Sequence, residues 1–508
     1  MVDRVLVHRA RYRDSAFLMR LSRSLSALEG IAEAVVVMAT EMNRALLAGV
    51  GFGSADLDSA RPTDLVVALR GESDAVLDRA GAECERLLQE ADRPASAGDR
   101  ARPASLREAL LEFPQSDWVQ VAVPGEYAGY CARLALESGR QVFLFSNNVP
   151  LEQEISLKRL ALSRGLLLMG PDCGTAIVGS VGFGFANRVR RGPVGLVGAS
   201  GTGLQEVSCL LHRLGAGISH AIGTGSRDLS AEVGGLMTEA GLRRLAADDE
   251  TAVIGLIAKH PADDVAARLH RQLDELGKPV VVRYLGQAAR PSAGRVRYAG
   301  SLEEAACLAA RLAGAPRDRL DETGVDGLEP PVEPSGGGRL VGLFGGGSLA
   351  SEAALALREE GLSVFEPAAP LPARGPLPNE RHLVVDTGED FYTRGKPHPM
   401  VDQTTRCDLI RRLGADTSVA VLLFDLVLGD GAHPDPAPEM AEAISRARAA
   451  RGGVPLAVIA SVTGTEQDPQ DAERQRRVLA AAQVQCHASA WRAARAAARA
   501  VSAERSAK

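Results

Sequence analysis

Apolar and polar positions alternate over residues 2–7, Val-Asp-Arg-Val-Leu-Val, which predicts a strand; residues 15–28 then repeat their apolar positions at helical spacing. Residues 34–39 and 64–69 read as two more strands and 73–91 as a helix, together a small α+β module over 1–92 with a ferredoxin-like order. From 92 to 103 Pro, Ala, Ser, Asp and Arg replace that periodicity, which marks a boundary. Strands at 117–123, 141–145 and 166–169, with helices at 127–138 and 151–163 between them, then predict a Rossmann-like domain over 103–190. Near-continuous apolar runs at 192–198, 252–257 and 279–284, closed by a helix at 302–312, predict a third parallel α/β domain over 191–316. Residues 317–338, rich in Pro, Gly, Asp and Glu, read as a linker. A fourth domain over 339–508 has strands at 339–344, 383–386, 419–425 and 455–460 and an amphipathic helix at 488–500 whose arginines form a solvated face. The fold class is therefore α/β: several parallel-sheet, Rossmann- or flavodoxin-like domains behind a small α+β module.

Two stretches in this pattern carry chemistry. At 192–206 a buried strand runs into Ser200, Gly201, Thr202 and Gly203 and then a helix. Free backbone N–H groups and the positive end of the helix dipole make such a start an anion seat, glycines allow close approach, and the hydroxyls add donors. At 339–352 the same succession returns as a strand, then Gly345, Gly346, Gly347 and Ser348, then an Ala- and Leu-rich helix with an acidic residue near the same offset. An internal duplication is the simplest account.

Composition narrows the function. Across 508 residues the formal net charge is −6, with no long basic run, so nucleic acid is not an expected partner. No uninterrupted apolar segment is long enough for a membrane span, and none is expected. Seven scattered cysteines include no CxxC pair, so reduced thiols, a cytoplasmic location and no zinc site are expected.

The succession Gly170-Pro171-Asp172-Cys173-Gly174, Gly195 to Thr202 and Gly223-Thr224-Gly225-Ser226-Arg227-Asp228 resembles the motif order of the succinyl-CoA synthetase α subunit. Residues 344–352, Asp402-Gln403-Thr404-Thr405-Arg406 and 424–434 are similar to the carboxyl domain of the β subunit. More specifically, over most of its length the chain is identified as a member of the FdrA family of acyl-CoA-synthetase-like proteins. The resemblance implies an α-like body fused to a β-like domain, with 103–190 of CoA-binding type. It also implies two helix N-termini facing one phosphate site, one at 200–203 and the other at Gly429-Asp430-Gly431-Ala432.

Departures from the synthetases alter the chemistry. Where they carry a phosphohistidine in Gly-His-Ala-Gly, this chain has Arg297-Tyr298-Ala299-Gly300, and Leu256 replaces the glutamate that steadies that histidine. A phenol with a pKa near 10 does not relay phosphate at neutral pH as an imidazole does. Without an ATP-grasp segment, the chain is not expected to draw phosphate from ATP unaided. By family, the resemblance implies a subunit of oxamate carbamoyltransferase acting with companion subunits in an oligomer. That reaction converts oxalurate and phosphate to oxamate and carbamoyl phosphate, with phosphate as substrate, no certain cofactor, and small carboxylate and phosphate ligands. An acid–thiol ligase subunit, which requires CoA and Mg-ATP, and a noncatalytic phosphate sensor are the alternatives. Ser200, Gly201, Thr202, Gly203, Gly345, Gly346, Gly347, Ser348, Gly429 and Gly431 are the expected phosphate and substrate contacts. His433, beside Asp430 and Asp435, and Arg406 are the catalytic candidates; the 430–435 spacing matches no metal motif.

Overall fold

In a computed structural model, residues 1–13, 15–92, 103–316, 338–372, 377, 381–394 and 396–502 are described. Most of both expected linkers, 93–102 and 317–337, lies outside the described residues. Two compact units are formed, 1–114 with 390–402, and 115–389 with 403–508.

In the first unit, Leu65–Gly71 is the central strand of an antiparallel sheet, flanked by Val2–His8 and Ile31–Met38. Its side chains alternate between two cores. Leu65, Val67 and Leu69 pack with Leu18, Leu25, Leu77 and Leu88 of two long helices, while Val66 and Ala68 pack with Leu47, Phe52 and Leu57. Burial on both faces explains why this strand is apolar without interruption from Leu65 to Leu69.

The second unit holds three sheets. Trp118–Val121, Gln141–Leu144 and Leu168–Met169 form a small parallel sheet whose core runs into that of its neighbour, joining Phe143 and Leu168 to Val197, Leu256 and Val280. Buried Lys158, on the Leu151–Ser163 helix, fastens the two together. Its ammonium reaches Glu154 and Asp228, both at 2.8 Å, and donates to the Thr224 carbonyl.

The neighbouring sheet has the order Val296–Tyr298, Val280–Leu285, Val253–Lys259, Arg191–Gly198, Ile218–Gly223, Thr175–Val178, Val181–Gly184. The first five strands are parallel and the last two form an antiparallel hairpin on the edge. The third sheet is parallel throughout, in the order Val364–Phe365, His382–Asp386, Arg339–Phe344, Val419–Val427, Ala457–Thr463, Gln485–His487. In both, the first of the parallel strands in sequence is internal and the chain leaves it toward both sides. The carboxyl ends of Arg191–Gly198 and Arg339–Phe344 are therefore topological switch points, the places where open α/β sheets bind ligands.

The last helix, Ala490–Ser502, is amphipathic as expected, with Arg495 and Arg499 exposed on its outer face. Ala493, Ala494, Ala496, Ala497 and Ala498 are buried, and the small side chains let it pack against the helix Gly347–Glu359 and four strands of the third sheet. Arg492 and Arg495 at its margin pair with Glu303 and Glu360.

Candidate functional site

Each switch point opens into a helix. The Arg191–Gly198 strand ends where a Cβ on Gly198 would lie 1.8 Å from the Ile257 carbonyl oxygen, so only glycine allows the chain to turn there. Ser200 then takes extended backbone angles, and its Oγ accepts from the Gly203 N–H at 3.1 Å, capping the helix Gly201–Arg213. The N–H groups of Gly201 and Thr202 have no protein acceptor among the described residues. They are the unfilled donors of this helix end.

The second turn faces the first. Ser200 Oγ and Ser348 Oγ are 2.6 Å apart and buried, so the starts of the helices Gly201–Arg213 and Gly347–Glu359 meet directly. A Cβ on Gly346 would lie 2.8 Å from the Thr202 methyl, so the two backbones close to this distance only because position 346 carries no side chain. Four of the expected phosphate contacts, Ser200, Thr202, Gly346 and Ser348, are thus brought together.

The second turn nevertheless already holds an anion of its own. Gly345 and Gly346 donate their N–H groups to the two carboxylate oxygens of Asp425 at 2.7 and 2.8 Å. Arg406, buried, donates to the same carboxylate at 2.5 Å, to the Asp425 carbonyl, and twice to Gln403. Gly345 and Gly346 are therefore closed to an external phosphate, which corrects the sequence expectation. Arg406 is a positioning residue for Asp425 and not a substrate contact.

The carboxyl-terminal candidates lie elsewhere. No helix starts at Gly429 to Ala432; the next begins at Pro436 behind Asp435. Gly429 and Gly431, both at positive φ, pack against the backbone of Ala186 and Gly184, and Asp430 N–H donates to the Ala186 carbonyl while its carboxylate pairs with Arg188. This loop fastens the third sheet to the edge hairpin of the second. His433 is buried with both ring nitrogens engaged: Nδ1 accepts from the Asp435 N–H at 3.0 Å and Nε2 lies 3.1 Å from Glu439. It braces the loop through these two contacts.

Three residues outside the expected set gather around the start of the Gly347–Glu359 helix. Asp386 ends the His382–Asp386 strand with one oxygen accepting from the Gly388 N–H at 2.8 Å. Its other oxygen lies 2.4 Å from where a Cβ on Gly347 would sit, so it rests directly on the start of the second helix. Burial pushes this carboxyl up to about 7, against the pull of the Gly388 N–H. Lys259, exposed at the end of the Val253–Lys259 strand, is within electrostatic reach of it. Asp425 is the third. Each was signalled by a charged side chain in or closing an otherwise apolar parallel strand, at the sheet edge where ligands bind.

No histidine stands in the phosphohistidine position. Tyr298 is half-buried, edge-on to His270 at 5.9 Å, and burial raises its phenol further; Leu256 is core. The Cys173 thiol is buried and pushed up to about 12, so it is no nucleophile. Among the described residues no helix is long and apolar enough to cross a membrane.

The chain matches three family descriptions: "AllF, heavy metal-associated domain" over residues 1–104, "CoA binding domain" over 189–284 and "CoA-ligase" over 343–500. The heavy-metal label does not fit the residues present. Residues 1–104 contain one cysteine, Cys84, buried with its thiol pushed up to about 12, and one histidine, His8, set against Glu85. Soft metals need paired thiolate or imidazole ligands, which this module lacks. Part of the chain is similar to an ADP-forming succinate–CoA ligase α subunit of Archaeoglobus fulgidus, 29% identical, covering 39% of this chain and 69% of that one. An ADP-forming sulfoacetate-CoA ligase subunit of Bilophila wadsworthia is 24% identical, covering 39% and 68%. YahF of Escherichia coli, an uncharacterized protein, is 37% identical over 497 residues, 94% of this chain and 95% of its own. With that identity running through the small module, the CoA-binding part and the CoA-ligase part alike, the chain belongs with YahF to the FdrA-type family of acyl-CoA-synthetase-like proteins.

Proposed function

We propose that the chain is the large subunit of an acyl-CoA-synthetase-like enzyme that makes or consumes an acyl phosphate, with the phosphate seated at the start of the Gly201–Arg213 helix. The observation that carries this is the pair of unfilled N–H groups of Gly201 and Thr202, beside the Thr202 hydroxyl and opposite the Gly347 turn. Dipole, backbone donors and the Lys259 ammonium favour a dianion there. The reaction needs orientation and stabilisation of charge on the acyl oxygen, which fixed N–H donors supply without a covalent intermediate.

Two leaving groups suit this half-reaction. A thiolate leaving group makes the enzyme an acid–thiol ligase, favoured by the CoA-binding and CoA-ligase matches. An amide leaving group makes it oxamate carbamoyltransferase, favoured by Tyr298 and Leu256 standing where a phosphohistidine relay needs histidine and glutamate. Thermal unfolding of the chain in phosphate, carbamoyl phosphate, oxamate, CoA and Mg-ATP separates them, because a ligand of the folded state raises the midpoint. Stabilisation by phosphate and carbamoyl phosphate alone supports carbamoyl transfer, and a response to CoA supports ligation. Gly201→Asp places a carboxylate in the seat and is expected to abolish the phosphate response; an unchanged response would refute the placement.

A further inference from the structure

A group-transfer site without an imidazole needs another carrier for the proton that must reach the leaving group. The starts of the two facing helices hold no titratable side chain: Ser200, Thr202, Gly346, Gly347 and Ser348 are neutral, and neither helix has an acidic residue in its first turn. His433 is fixed in its own loop, and Tyr298 in its ring cluster. Asp425 is spent on the Gly345 and Gly346 N–H groups and on Arg406.

Asp386 differs from all of these. One carboxyl oxygen is fixed by the Gly388 N–H, while the other has no hydrogen-bond partner among the described residues and lies against Gly347, one residue from the glycine that Thr202 covers. The residue is only partly buried. Charged groups face it from each element packed around it: Glu389 from its own loop, Asp425 from the Val419–Val427 strand with Arg406 behind, and Lys259 from the Val253–Lys259 strand.

We propose that Asp386 is the proton carrier of the site between the two facing helix starts. The assignment rests on the acyl-phosphate reading above. With phosphate seated at Gly201 and Thr202, a phosphate oxygen attacks the acyl carbon, forming the C–O bond as the bond from carbon to the leaving nitrogen or sulfur breaks. The Asp386 carboxyl gives its proton to that leaving atom, and the resulting carboxylate takes the proton of the phosphate hydroxyl. Acyl phosphate and the protonated leaving group result, and Asp386 ends as it began. Burial holding the carboxyl near 7 lets it fill both roles at neutral pH.

A protonated Asp386 also admits an anion that the ionised form repels, so binding should be linked to one proton. Sulfate is a suitable probe because it keeps its double charge from pH 5 to pH 9. By calorimetry its Kd in the wild-type chain is expected to rise about tenfold per pH unit above 7, and in Asp386→Asn to stay within about threefold from pH 6 to pH 9. Asn has the same shape, and an unchanged unfolding midpoint at pH 6 checks that the variant folds. Wild-type binding that ignores pH, or an Asp386→Asn variant that keeps the wild-type pH dependence, would overturn the assignment of Asp386 and leave the phosphate seat standing. Sulfate that binds the wild type at no pH would overturn the seat and this inference with it.

Discussion

Glu206 and Glu352 occupy the same offset in the two facing helices, six residues beyond Ser200 and Gly346, and both are fully buried. Their environments are opposite. Glu352 is forked onto buried Arg283 and accepts from the Leu302 N–H at 2.9 Å. Among the described residues Glu206 forms no ion pair, with Arg213 only within electrostatic reach; it accepts from the Ala490 N–H and from the Thr463 hydroxyl at 3.4 Å. Burial, and then the nearby Glu352 carboxylate, push Glu206 up from 4.5 to about 8. A carboxyl raised in the folded state contributes its stability fully below its unfolded value and loses it as pH rises through the folded value. The loss therefore runs from about pH 4.5 to about pH 8. A gap of roughly 3.5 units at 1.36 kcal/mol each puts the ceiling near 5 kcal/mol. In a unit of this size that corresponds to roughly 5–6 °C in midpoint. Glu206→Gln keeps an acceptor for Ala490 and removes the titration. Scanning calorimetry at half-unit steps from pH 5 to pH 9 should show the wild-type midpoint falling more steeply than the variant's, with the variant the more stable at pH 8.5. Glu352→Gln, the same chemical change, should instead destabilise at every pH by about 3 kcal/mol, because Arg283 is left buried without its counter-charge. Parallel pH slopes for wild type and Glu206→Gln, or the same sign for both variants at pH 8.5, would refute this reasoning.

Other outcomes follow from contacts already described. Lys158→Met leaves buried Asp228 without its cation and Glu154 with Arg227 alone, and should cost about 3 kcal/mol, read as an earlier urea midpoint. Ser200→Ala removes both the helix cap and the bridge to Ser348, with an expected loss of about 1 kcal/mol and a weaker phosphate response in thermal unfolding. Gly347→Ala drives a methyl onto the Asp386 carboxyl and displaces it, and should flatten the pH dependence of sulfate binding with little effect on the far-ultraviolet dichroism; an unchanged pH dependence would remove Asp386 from the site.

The strands were legible where burial on both faces makes sequence monotonous. Residues 192–198, 252–257, 339–344 and 419–425 are apolar runs that only a covered parallel sheet explains, and each is a strand. The Thr175–Gly184 hairpin was not, because four-residue strands rich in glycine at a sheet edge leave too short an alternation to read. The paired glycine turns were visible, whereas their inequality was not: that Asp425 fills one and none fills the other depends on strand register, Leu343 beside Phe424, which no local pattern encodes. The family resemblance implied a helix start at Gly429 and Gly431, but these glycines serve close packing and meet Ala186 and Gly184 instead. Asp386 and Lys259 come 127 residues apart in the chain and meet only because two switch points face each other.

The buried glutamates also cross between the halves. Glu206, from the earlier half, receives the first N–H of the final helix of the later one, and Glu352, from the later half, receives the first N–H of the helix Leu302–Leu312. Each half thus finishes a helix that the other begins, as two hands lock when each grips the other's wrist. Chain cleavage between 316 and 338 should yield two fragments that copurify as one particle, and either piece made alone should lack a partner for a helix end and for a buried charge.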